Sequence, residues 1–243
     1  MMIMGHRGAA ALEPENTLLS ISRAIEIGVD AVEIDVRLTK DRVLVVIHDA
    51  AVDRTTDGTG PVSSYELKEI KGLDAGKGEA IPTLQEVFDL IDNKATLVVE
   101  LKEEGTEQSV VELIEKNNLE ENVYVISFWH ELVKAAKSMN SRIKTGVLLV
   151  GCPVDSCVAT HASADALVMR YSFVNKRFVE IAHEEGLKVF VWNIDHAHLL
   201  PPYAEMGVLM LRWVWTALEA MTLGCWWSTS GRSIDGYYGY EVG

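Results

Sequence analysis

Two histidines and two basic residues stand at the ends of apolar runs, where they could do acid–base chemistry on an anion. His6 and Arg7 follow the N-terminal run MMIMG, His48 ends VLVVIH, and Lys102 ends VVELK. Histidine exchanges a proton near neutral pH, and a fixed positive charge binds an anionic group. The histidines fit an acid–base pair, ligands of a metal such as Zn²⁺ or Fe²⁺, or core residues with satisfied hydrogen bonds.

Three carboxylates occur in similar runs. Glu33 and Asp35 lie in VEIDV, and Glu100 lies in VVELK. Because side chains alternate along a strand, Glu33 and Asp35 share one face while their apolar neighbours occupy the other. Like charges that converge at one site need a counter-charge, and all-oxygen ligation is typical of Mg²⁺ or Ca²⁺. We therefore predict one divalent metal ion at this site, with separate surface salt bridges as the alternative.

The combination of these groups indicates phosphate chemistry. If the carboxylates hold a hard cation, the histidines can act as an acid and a base beside the fixed charges of Arg7 and Lys102. A metal and two cations stabilise charge on phosphate oxygens, and two histidines move protons. Phe128 and Trp192 also stand near predicted strand ends, where they fit either core packing or contact with a substrate.

Short β-rich runs alternate with helical patterns along the chain, which indicates parallel strands joined by helical crossovers. Strands are expected at residues 3–5, 31–36, 96–101, 123–128, 144–150, 166–169 and 188–192, with an eighth around 208–211. Eight strands with outer helices in 243 residues predict an α/β fold, a (β/α)₈ TIM barrel, whose catalytic residues stand at the carboxyl ends of the strands. We expect one catalytic domain over residues 1–243.

One β-rich run breaks this alternation. Residues 42–49 follow the second strand after only the five residues RLTKD, whereas a parallel crossover needs roughly a dozen residues or more. The run must therefore leave the sheet, turn and return as a hairpin. If it returns to where it left, His48 lies near Glu33 and Asp35.

Composition limits the classes of partner. The formal net charge of −14 argues against nucleic acid and against an anionic membrane surface, since both attract basic proteins. A few local cations can still bind one phosphate of a small-molecule substrate. No apolar run reaches the roughly 20 residues that span a bilayer, and we expect neither a secretory signal nor stable membrane insertion. Three cysteines without metal-like spacing favour a reducing compartment, so we expect a cytoplasmic protein of undefined oligomeric state.

The order of the motifs resembles that of the glycerophosphodiester phosphodiesterase family. HRG, PENT, VEIDV, VIHD, DRTTDGTG, IPTLQEV and VVELK follow one another from residue 4 to about residue 102, and the similarity resumes at SF and VFVWNID. The chain departs from the family pattern near its end, where it reads GVLMLRWVWTALEAM. The part from about residue 208, which should hold the eighth strand and the final helix, is therefore atypical.

The resemblance implies a metal-dependent hydrolase that converts glycerophosphodiesters to glycerol 3-phosphate and an alcohol. The roles it implies are metal ligation by Glu33, Asp35 and Glu100, acid–base catalysis by His6 and His48, and binding of the phosphate or other parts of the substrate by Arg7, Lys102, Glu15, Phe128 and Trp192. Glu15 is expected to reach the metal or the glycerol hydroxyls. Residues from about 50 to 80, after the hairpin that carries His48, are expected to form a small insertion over the barrel mouth.

Other functions remain open at this level. A lysophospholipase D or a phosphoinositide-type phospholipase would use related chemistry, and an exposed apolar rim would favour it. A non-catalytic barrel that binds phosphate esters is a further alternative, although the presence of both His6 and His48 argues against it.

Overall fold

A closed barrel of parallel strands forms the centre of the protein in a computed structural model, which describes residues 2–153, 155–194 and 200–213. The described strands are β1 (Met2–His6), β2 (Ala31–Leu38), β3 (Leu44–Val46), β4 (Thr96–Leu101), β5 (Val123–Ser127), β6 (Lys144–Leu149), β7 (Ala166–Arg170), β8 (Lys188–Ile194) and β9 (Met210–Trp213). All except β3 pair in parallel, and β1 contacts both β2 and β9, so the sheet closes on itself. The predicted (β/α)₈ barrel is confirmed.

Helices cover the outside of the barrel. They are α1 (Leu18–Ile27), α2 (Leu67–Ile70), α3 (Leu84–Ile91), α4 (Thr106–Asn117), α5 (His130–Met139), α6 (Cys157–His161), α7 (Lys176–Glu184) and α8 (Leu200–Glu205). The outward-facing residues of β2, among them Val32 and Ile34, belong to one buried cluster with Ile21 of α1 and Val87 of α3. This contact is the apolar face that the alternation in VEIDV predicts.

A second apolar cluster fills the lower part of the barrel. Its members include Met4 of β1, Ala31 of β2, Val98 of β4, Ile126 of β5 and Phe190 of β8. Because side chains alternate along a strand, residues two or four positions further along each strand face the same interior at the carboxyl end. The residues at those positions are His6, Glu33, Asp35, Glu100, Lys102, Phe128 and Trp192.

The run after β2 forms the predicted hairpin. β3 pairs antiparallel with β2, with Val46 opposite Val36. The chain then returns beside the carboxyl end of β2, where the Ile47 amide donates to the Asp35 carbonyl oxygen at 3.0 Å. Ile47 directly precedes His48, so His48 lies next to the strand that carries Glu33 and Asp35, as the short connection predicts.

The segment between β3 and α3 packs around a small core of its own. It contains a 3₁₀ turn (Val62–Ser64) and the short helix α2. A buried cluster joins β3 to this segment through Val45, Val52, Val62 and Ile70. The segment includes the residues from about 50 to 80 that are expected to form an insertion, and the place of that insertion over the barrel mouth stays a prediction.

The last described strand completes the barrel in the atypical C-terminal part. β9 starts at Met210, pairs with β8 and β1, and lies slightly beyond the position expected for the eighth barrel strand. The final helix expected after it falls outside the described residues. Within the described ranges, no helix is long and apolar enough to cross a membrane.

Candidate active site

Three buried carboxylates stand together at the carboxyl end of the barrel. Glu33 and Asp35 are fully buried on β2, and Glu100 on the neighbouring strand β4 is 2 % exposed. Asp35 lies directly opposite Glu100 in the strand register. One ligand oxygen from each of the three residues lies within 4.8 Å of the others. The predicted cluster is therefore present, and it is buried rather than spread over surface salt bridges.

This geometry fits a divalent cation. An ion held at about 2.0–2.6 Å by each oxygen requires ligand atoms that lie a few ångströms apart, as these do. Among the described residues, Arg7 and Lys102 are cations that contact these three carboxylates. Buried like charges of this kind are stable only with compensation. Oxygen donors alone are the ligand type of Mg²⁺ and Ca²⁺.

The turn after β1 places His6 and Arg7 against this cluster. His6 Nε2 lies 3.9 Å from a carboxylate oxygen of Glu33, and the Arg7 amide donates to the same oxygen at 3.0 Å. Arg7 has a φ of 51°, in the left-handed region that non-glycine residues rarely adopt. Gly8 follows with a φ of 79° and lies so close to α1 that a Cβ would stand 2.7 Å from the Ser20 carbonyl oxygen. The glycine therefore permits the turn that exposes Arg7 to the site.

The two predicted phosphate-binding cations contact the carboxylates. Arg7 Nε lies 3.3 Å from Asp35 Oδ2, while Lys102 Nζ lies 2.6 Å from Glu100 Oε1 and 3.6 Å from Asp35 Oδ1. Burial lowers the pKa of Arg7, but the carboxylates of Asp35, Glu15 and Glu33 outweigh it, so the pKa lies above its ordinary value. Arg7 is therefore a permanent cation next to the place where a metal-bound anion would lie.

Asn16 holds the Asp35 carboxylate in place. Its amide group donates to Asp35 Oδ2 at 2.9 Å, and its side-chain oxygen accepts from the Asp35 backbone amide at 3.3 Å. A residue of PENT thus orients one of the candidate metal ligands.

His48 lies at the edge of the site and belongs to a chain of charged side chains. His48 Nδ1 is 2.6 Å from Asp49 Oδ1, and Arg54 donates to both carboxylate oxygens of Asp49 at 2.6 and 3.1 Å. Arg54 also donates to both oxygens of Glu15, at 2.7 and 2.8 Å. Glu15 accepts a further hydrogen bond of 2.7 Å from Arg7. The hairpin that carries His48 is thereby linked to the turn that carries Arg7, directly after His6.

The carboxylates of this chain are held in their ionised form. Hydrogen bonds from Arg54 keep the pKa of Asp49 well below its usual range, against the opposing effect of burial. Burial raises the pKa of Glu15, but hydrogen bonds from Arg54 and Arg7 outweigh it and leave the pKa below its usual value. An ionised Asp49 only accepts hydrogen bonds, so the His48 Nδ1 atom must carry the proton between them. With Nδ1 bound to Asp49, the Nε2 atom is left for proton transfer with a substrate.

Phe128 and Trp192 contact each other at the mouth of the barrel. Their rings meet edge to face with centroids 5.6 Å apart, and the Trp192 indole donates to the Val168 carbonyl oxygen at 3.1 Å. Phe128 is the residue after β5 and Trp192 lies on β8, whereas the charged groups stand on or beside β1, β2 and β4. The predicted site residues thus form a charged group and an aromatic group at the same end of the barrel.

Arg54 is a site residue that sequence reasoning missed, as are Asn16 and Asp49. It lies in DRTTDGTG, a loop segment with no regular period from which a side-chain direction could be read. The available signal was its position six residues after His48 and next to the acidic Asp53, which does not identify the carboxylates that it binds.

Comparisons with known proteins identify the family of this chain. Residues 6–217 match the model of the Glycerophosphoryl diester phosphodiesterase family. A glycerophosphodiester phosphodiesterase of Caldanaerobacter subterraneus subsp. tengcongensis is 39% identical over 221 residues, which cover 85% of this chain and 91% of that protein.

Two solved structures are similar in fold. A glycerophosphodiester phosphodiesterase from Agrobacterium tumefaciens has a TM-score of 0.81 at 28% identity, with 91% of this chain and 99% of that one covered. An Oleispira antarctica phosphodiesterase, solved in complex with the product sn-glycerol-3-phosphate, has a TM-score of 0.80 at 29% identity, with 88% and 92% covered. Since the family match spans most of the chain and the relative of 39% identity covers 85% of it, this chain belongs to the glycerophosphoryl diester phosphodiesterase family.

Proposed function

We propose that this protein hydrolyses glycerophosphodiesters to glycerol 3-phosphate and an alcohol with the help of one divalent metal ion, Mg²⁺ or Ca²⁺. The observation that carries the proposal is the buried cluster of Glu33, Asp35 and Glu100 with Arg7 and Lys102 against it. This is a site for a cation and for an anion beside it. The product bound to the Oleispira antarctica phosphodiesterase is the anion that such a site would hold.

The metal, bound by the three carboxylates, would stabilise negative charge on the phosphate and acidify a bound hydroxyl. Arg7 and Lys102 bind the remaining phosphate oxygens and add fixed positive charge where charge grows in the transition state. When substrate binds, Arg7 and Lys102 must therefore contact the phosphate in addition to the carboxylates that they contact in the structure. Phe128 and Trp192 contact the part of the substrate that extends from the mouth.

The two histidines transfer the protons. His6, neutral at the start, accepts the proton of the glycerol hydroxyl as its oxygen forms a bond to phosphorus. His48 enters this step as the imidazolium, with protons on both Nδ1 and Nε2, and donates its Nε2 proton to the alcohol oxygen as the bond from that oxygen to phosphorus breaks. The product of this step is a cyclic phosphate. In the second step water attacks phosphorus, His48 accepts a water proton, and His6 returns its proton to the glycerol oxygen that leaves. Both histidines end in their starting states.

The direct test is an assay of glycerol 3-phosphate release. The purified protein is treated with chelator, dialysed, and supplied with Mg²⁺ or Ca²⁺ in the presence of glycerophosphocholine, glycerophosphoethanolamine or glycerophosphoglycerol. Release that requires the metal supports the proposal. Full activity in excess chelator contradicts the role of the metal, and binding of the diesters without turnover would instead indicate a non-catalytic phosphate-ester binding barrel.

A lysophospholipase D activity is a second candidate, because apolar side chains are exposed after consecutive barrel strands. Phe128 is 42 % exposed and Trp129 is 55 % exposed after β5, Val150 is 60 % exposed after β6, and Phe173 is 40 % exposed after β7. Such a rim could contact an acyl chain. If kcat/KM for lysophosphatidylcholine below its micellar concentration exceeds that for glycerophosphocholine, the lysophospholipid is the better substrate. A preference for glycerophosphoinositol would favour the phosphoinositide-type alternative.

Three further expectations stay predictions. A cytoplasmic location is testable by cell fractionation, and a single catalytic domain over residues 1–243 by the cooperativity of unfolding. The absence of nucleic acid among the partners is testable by a binding assay at low salt, where electrostatic attraction is strongest.

A further inference from the structure

Arg54 occupies the centre of a chain of charged groups between the two histidine-bearing parts of the site. Its guanidinium makes four hydrogen bonds of 2.6–3.1 Å, two to Asp49 and two to Glu15. Asp49 contacts His48 Nδ1 at 2.6 Å, and Glu15 contacts Arg7 at 2.7 Å. The guanidinium thus joins Asp49, which contacts His48, to Glu15, which contacts Arg7, the residue directly after His6.

We propose that Arg54 is a positioning residue for the phosphodiester reaction, which fixes the orientation of the His48 imidazole by holding Asp49 against its Nδ1 atom. The inference rests on the proposed function, since it assigns to Arg54 the support of a proton-transfer group. Arg54 acts through Asp49 and has no contact with the substrate in this scheme.

The argument begins with Asp49. Asp49 and His48 are both 31 % exposed in their side chains, so solvent alone would leave the carboxylate free to change rotamer. Arg54 binds both carboxylate oxygens, which restricts that rotation in a way that a single hydrogen bond cannot. The restricted carboxylate then accepts from His48 Nδ1–H, and the imidazole presents Nε2 in a constant direction. A carboxylate that orients a histidine in this manner increases the fraction of molecules that are ready to react.

Glu15 supplies the anchor for Arg54. Glu15 is 20 % exposed in its side chain and is itself bound to Arg7 beside the buried cluster. The flexible side chain of Arg54 is therefore attached, through Glu15, to the loop between β1 and α1 that also carries Arg7. If Arg54 were removed, Glu15 would keep its hydrogen bond to Arg7, whereas Asp49 would keep only His48 among the residues that the structure describes. Removal of Arg54 is thus expected to disturb the orientation of the His48 side chain rather than that of Arg7.

The shape of the guanidinium matters here. Its planar fork presents donors in two directions, which allows two bidentate carboxylate pairs at once, whereas a lysine ammonium is a compact charge that cannot reproduce this geometry. Arg54→Lys would keep the charge and lose the fork. It therefore separates positioning from simple electrostatic attraction.

The test compares Arg54→Met and Arg54→Lys with a matched control, Lys77→Met. Lys77 donates to Glu13 at 2.6 Å and so links the same two segments, the one after β3 and the one after β1, without contact to His48. On glycerophosphocholine, Arg54→Met should lower kcat by about 10–100-fold with little change in KM, as loss of an orienting partner does at other sites. On a logarithmic scale, the kcat of Arg54→Lys should lie closer to that of Arg54→Met than to that of the wild type. The kcat of Lys77→Met should remain near the wild-type value.

A double-variant comparison makes the assignment specific. Arg54→Met should lose less activity on a nitrophenyl phosphodiester than on the natural diester. His48→Ala should behave in the same way, with a larger difference between the two substrates. In the His48→Ala background the further loss should be below about threefold, because the group that Arg54 positions is gone. A fully additive loss in the double variant, or a loss equal to that of Lys77→Met, would overturn the proposal.

An NMR measurement tests the same geometry without turnover. The His48 Nδ1–H proton, assigned by its absence in His48→Ala, should be observed in the wild type and in Lys77→Met and should be lost in Arg54→Met. Its persistence in Arg54→Met would contradict the proposal. If the wild type releases no glycerol 3-phosphate while this signal behaves as expected, the proposed function fails and the positioning of His48 by Arg54 stands.

Discussion

Lys102 is the residue whose role differs most between the structure and the proposed reaction. In the structure it contacts Glu100 and Asp35, and in the reaction it binds the phosphate. Buried carboxylates with nearby cations are stable without a substrate, and a divalent ion would replace the attraction that these cations supply. The charge on Lys102 would then be available to an anion.

Lys102→Ala should therefore lower kcat/KM by about 10²–10³, because the charge that it places near the transition state is lost. The measurement is the initial rate of glycerol 3-phosphate release at saturating metal. Lys40→Ala is the control, since Lys40 forms an exposed ion pair with Glu66 at the surface. Equal activity in Lys102→Ala would mean that this lysine only neutralises the carboxylates.

The two histidines can be distinguished by the leaving group. A nitrophenolate departs without a proton, so a variant that lacks the general acid should regain much of its rate on a nitrophenyl diester, while a variant that lacks the base should not. We expect rescue of His48→Ala, because His48 stands on the hairpin at the edge of the site. Rescue confined to His6→Ala would reverse the assignment. Near-wild-type rates of both variants on glycerophosphocholine would end the two-histidine mechanism.

At the scale of elements, the turn between β1 and α1 determines where His6 and Arg7 point. Its shape depends on Gly8, whose φ is positive and whose α-carbon lies against Ser20. Gly28, at the end of α1, also has a positive φ, but a Cβ added there would have no atom within 4 Å. Both glycines therefore have a left-handed backbone conformation that would strain another residue. They differ because a Cβ has space at Gly28 and would overlap Ser20 at Gly8.

Gly28→Ala should cost about 1–2 kcal/mol of unfolding free energy, the usual penalty for a left-handed alanine. Gly8→Ala should cost more than this, because steric overlap with α1 is added, and it should also lower turnover by displacing Arg7. Urea unfolding and the glycerol 3-phosphate assay measure the two effects. Equal stability loss in both variants, with full activity in Gly8→Ala, would show that the turn adapts without consequence.

The elements themselves were predictable from sequence. Alternation in VEIDV predicted which face of β2 carries the acids, and the five-residue connection to residues 42–49 excluded a parallel strand and required the hairpin. Both results depend only on chain geometry, so tertiary context could not change them. The carboxylate cluster followed from the same alternation, once neighbouring strands were expected to bring their carboxyl ends together.

The other features of the site depend on tertiary contacts that the local sequence does not reveal. The left-handed conformation of Arg7 is set by its fit against Glu33, and non-glycine residues rarely adopt it. The link from His48 to Glu15 passes through Arg54, in a segment without helix or strand periodicity. The predicted reach of Glu15 to the metal or the glycerol hydroxyls stays a prediction, but both of its oxygens already accept hydrogen bonds from arginine.

At the scale of the whole molecule, the Arg54 network should make stability depend on pH. The pKa values of Glu15 and Asp49 are depressed from their ordinary 4.5 and 3.8. A depressed folded-state pKa contributes stability that is present above the unfolded value and is lost as pH falls toward the folded value. The contribution is screened, because the Arg54 side chain is 47 % exposed, so we expect about 1 kcal/mol at neutral pH.

The stability difference between wild type and Arg54→Met should therefore be largest at pH 6–7 and shrink as pH falls below about 4.5, where unfolded Glu and Asp bind protons. Urea unfolding at a series of pH values measures it. Arg42→Met is the control, since Arg42 donates to the backbone carbonyl of Gly105, which does not titrate in this range. A difference that stays constant or grows on acidification would contradict the role of the two carboxylates.

Metal binding should also stabilise the whole chain. The net charge of −14 attracts cations to many places on the surface, but only a site that exists in the folded state raises stability by mass action. At a metal concentration 100 times Kd the gain is about 2.7 kcal/mol. For a chain of this size that corresponds to a rise in Tm of roughly 5–10 °C.

The measurement is a thermal unfolding series of chelator-treated protein with increasing Mg²⁺ or Ca²⁺. The test variant is Glu100→Gln, which keeps the size of the side chain and removes one ligand charge from the buried cluster. Its matched control is Glu104→Gln, which changes an exposed acid two positions beyond Lys102. Wild type and Glu104→Gln should show the full rise, and Glu100→Gln should show little of it and no turnover. A wild-type Tm that does not change with either metal would contradict a metal site at Glu33, Asp35 and Glu100. An equal rise in Glu100→Gln would place the bound cation elsewhere on the acidic surface.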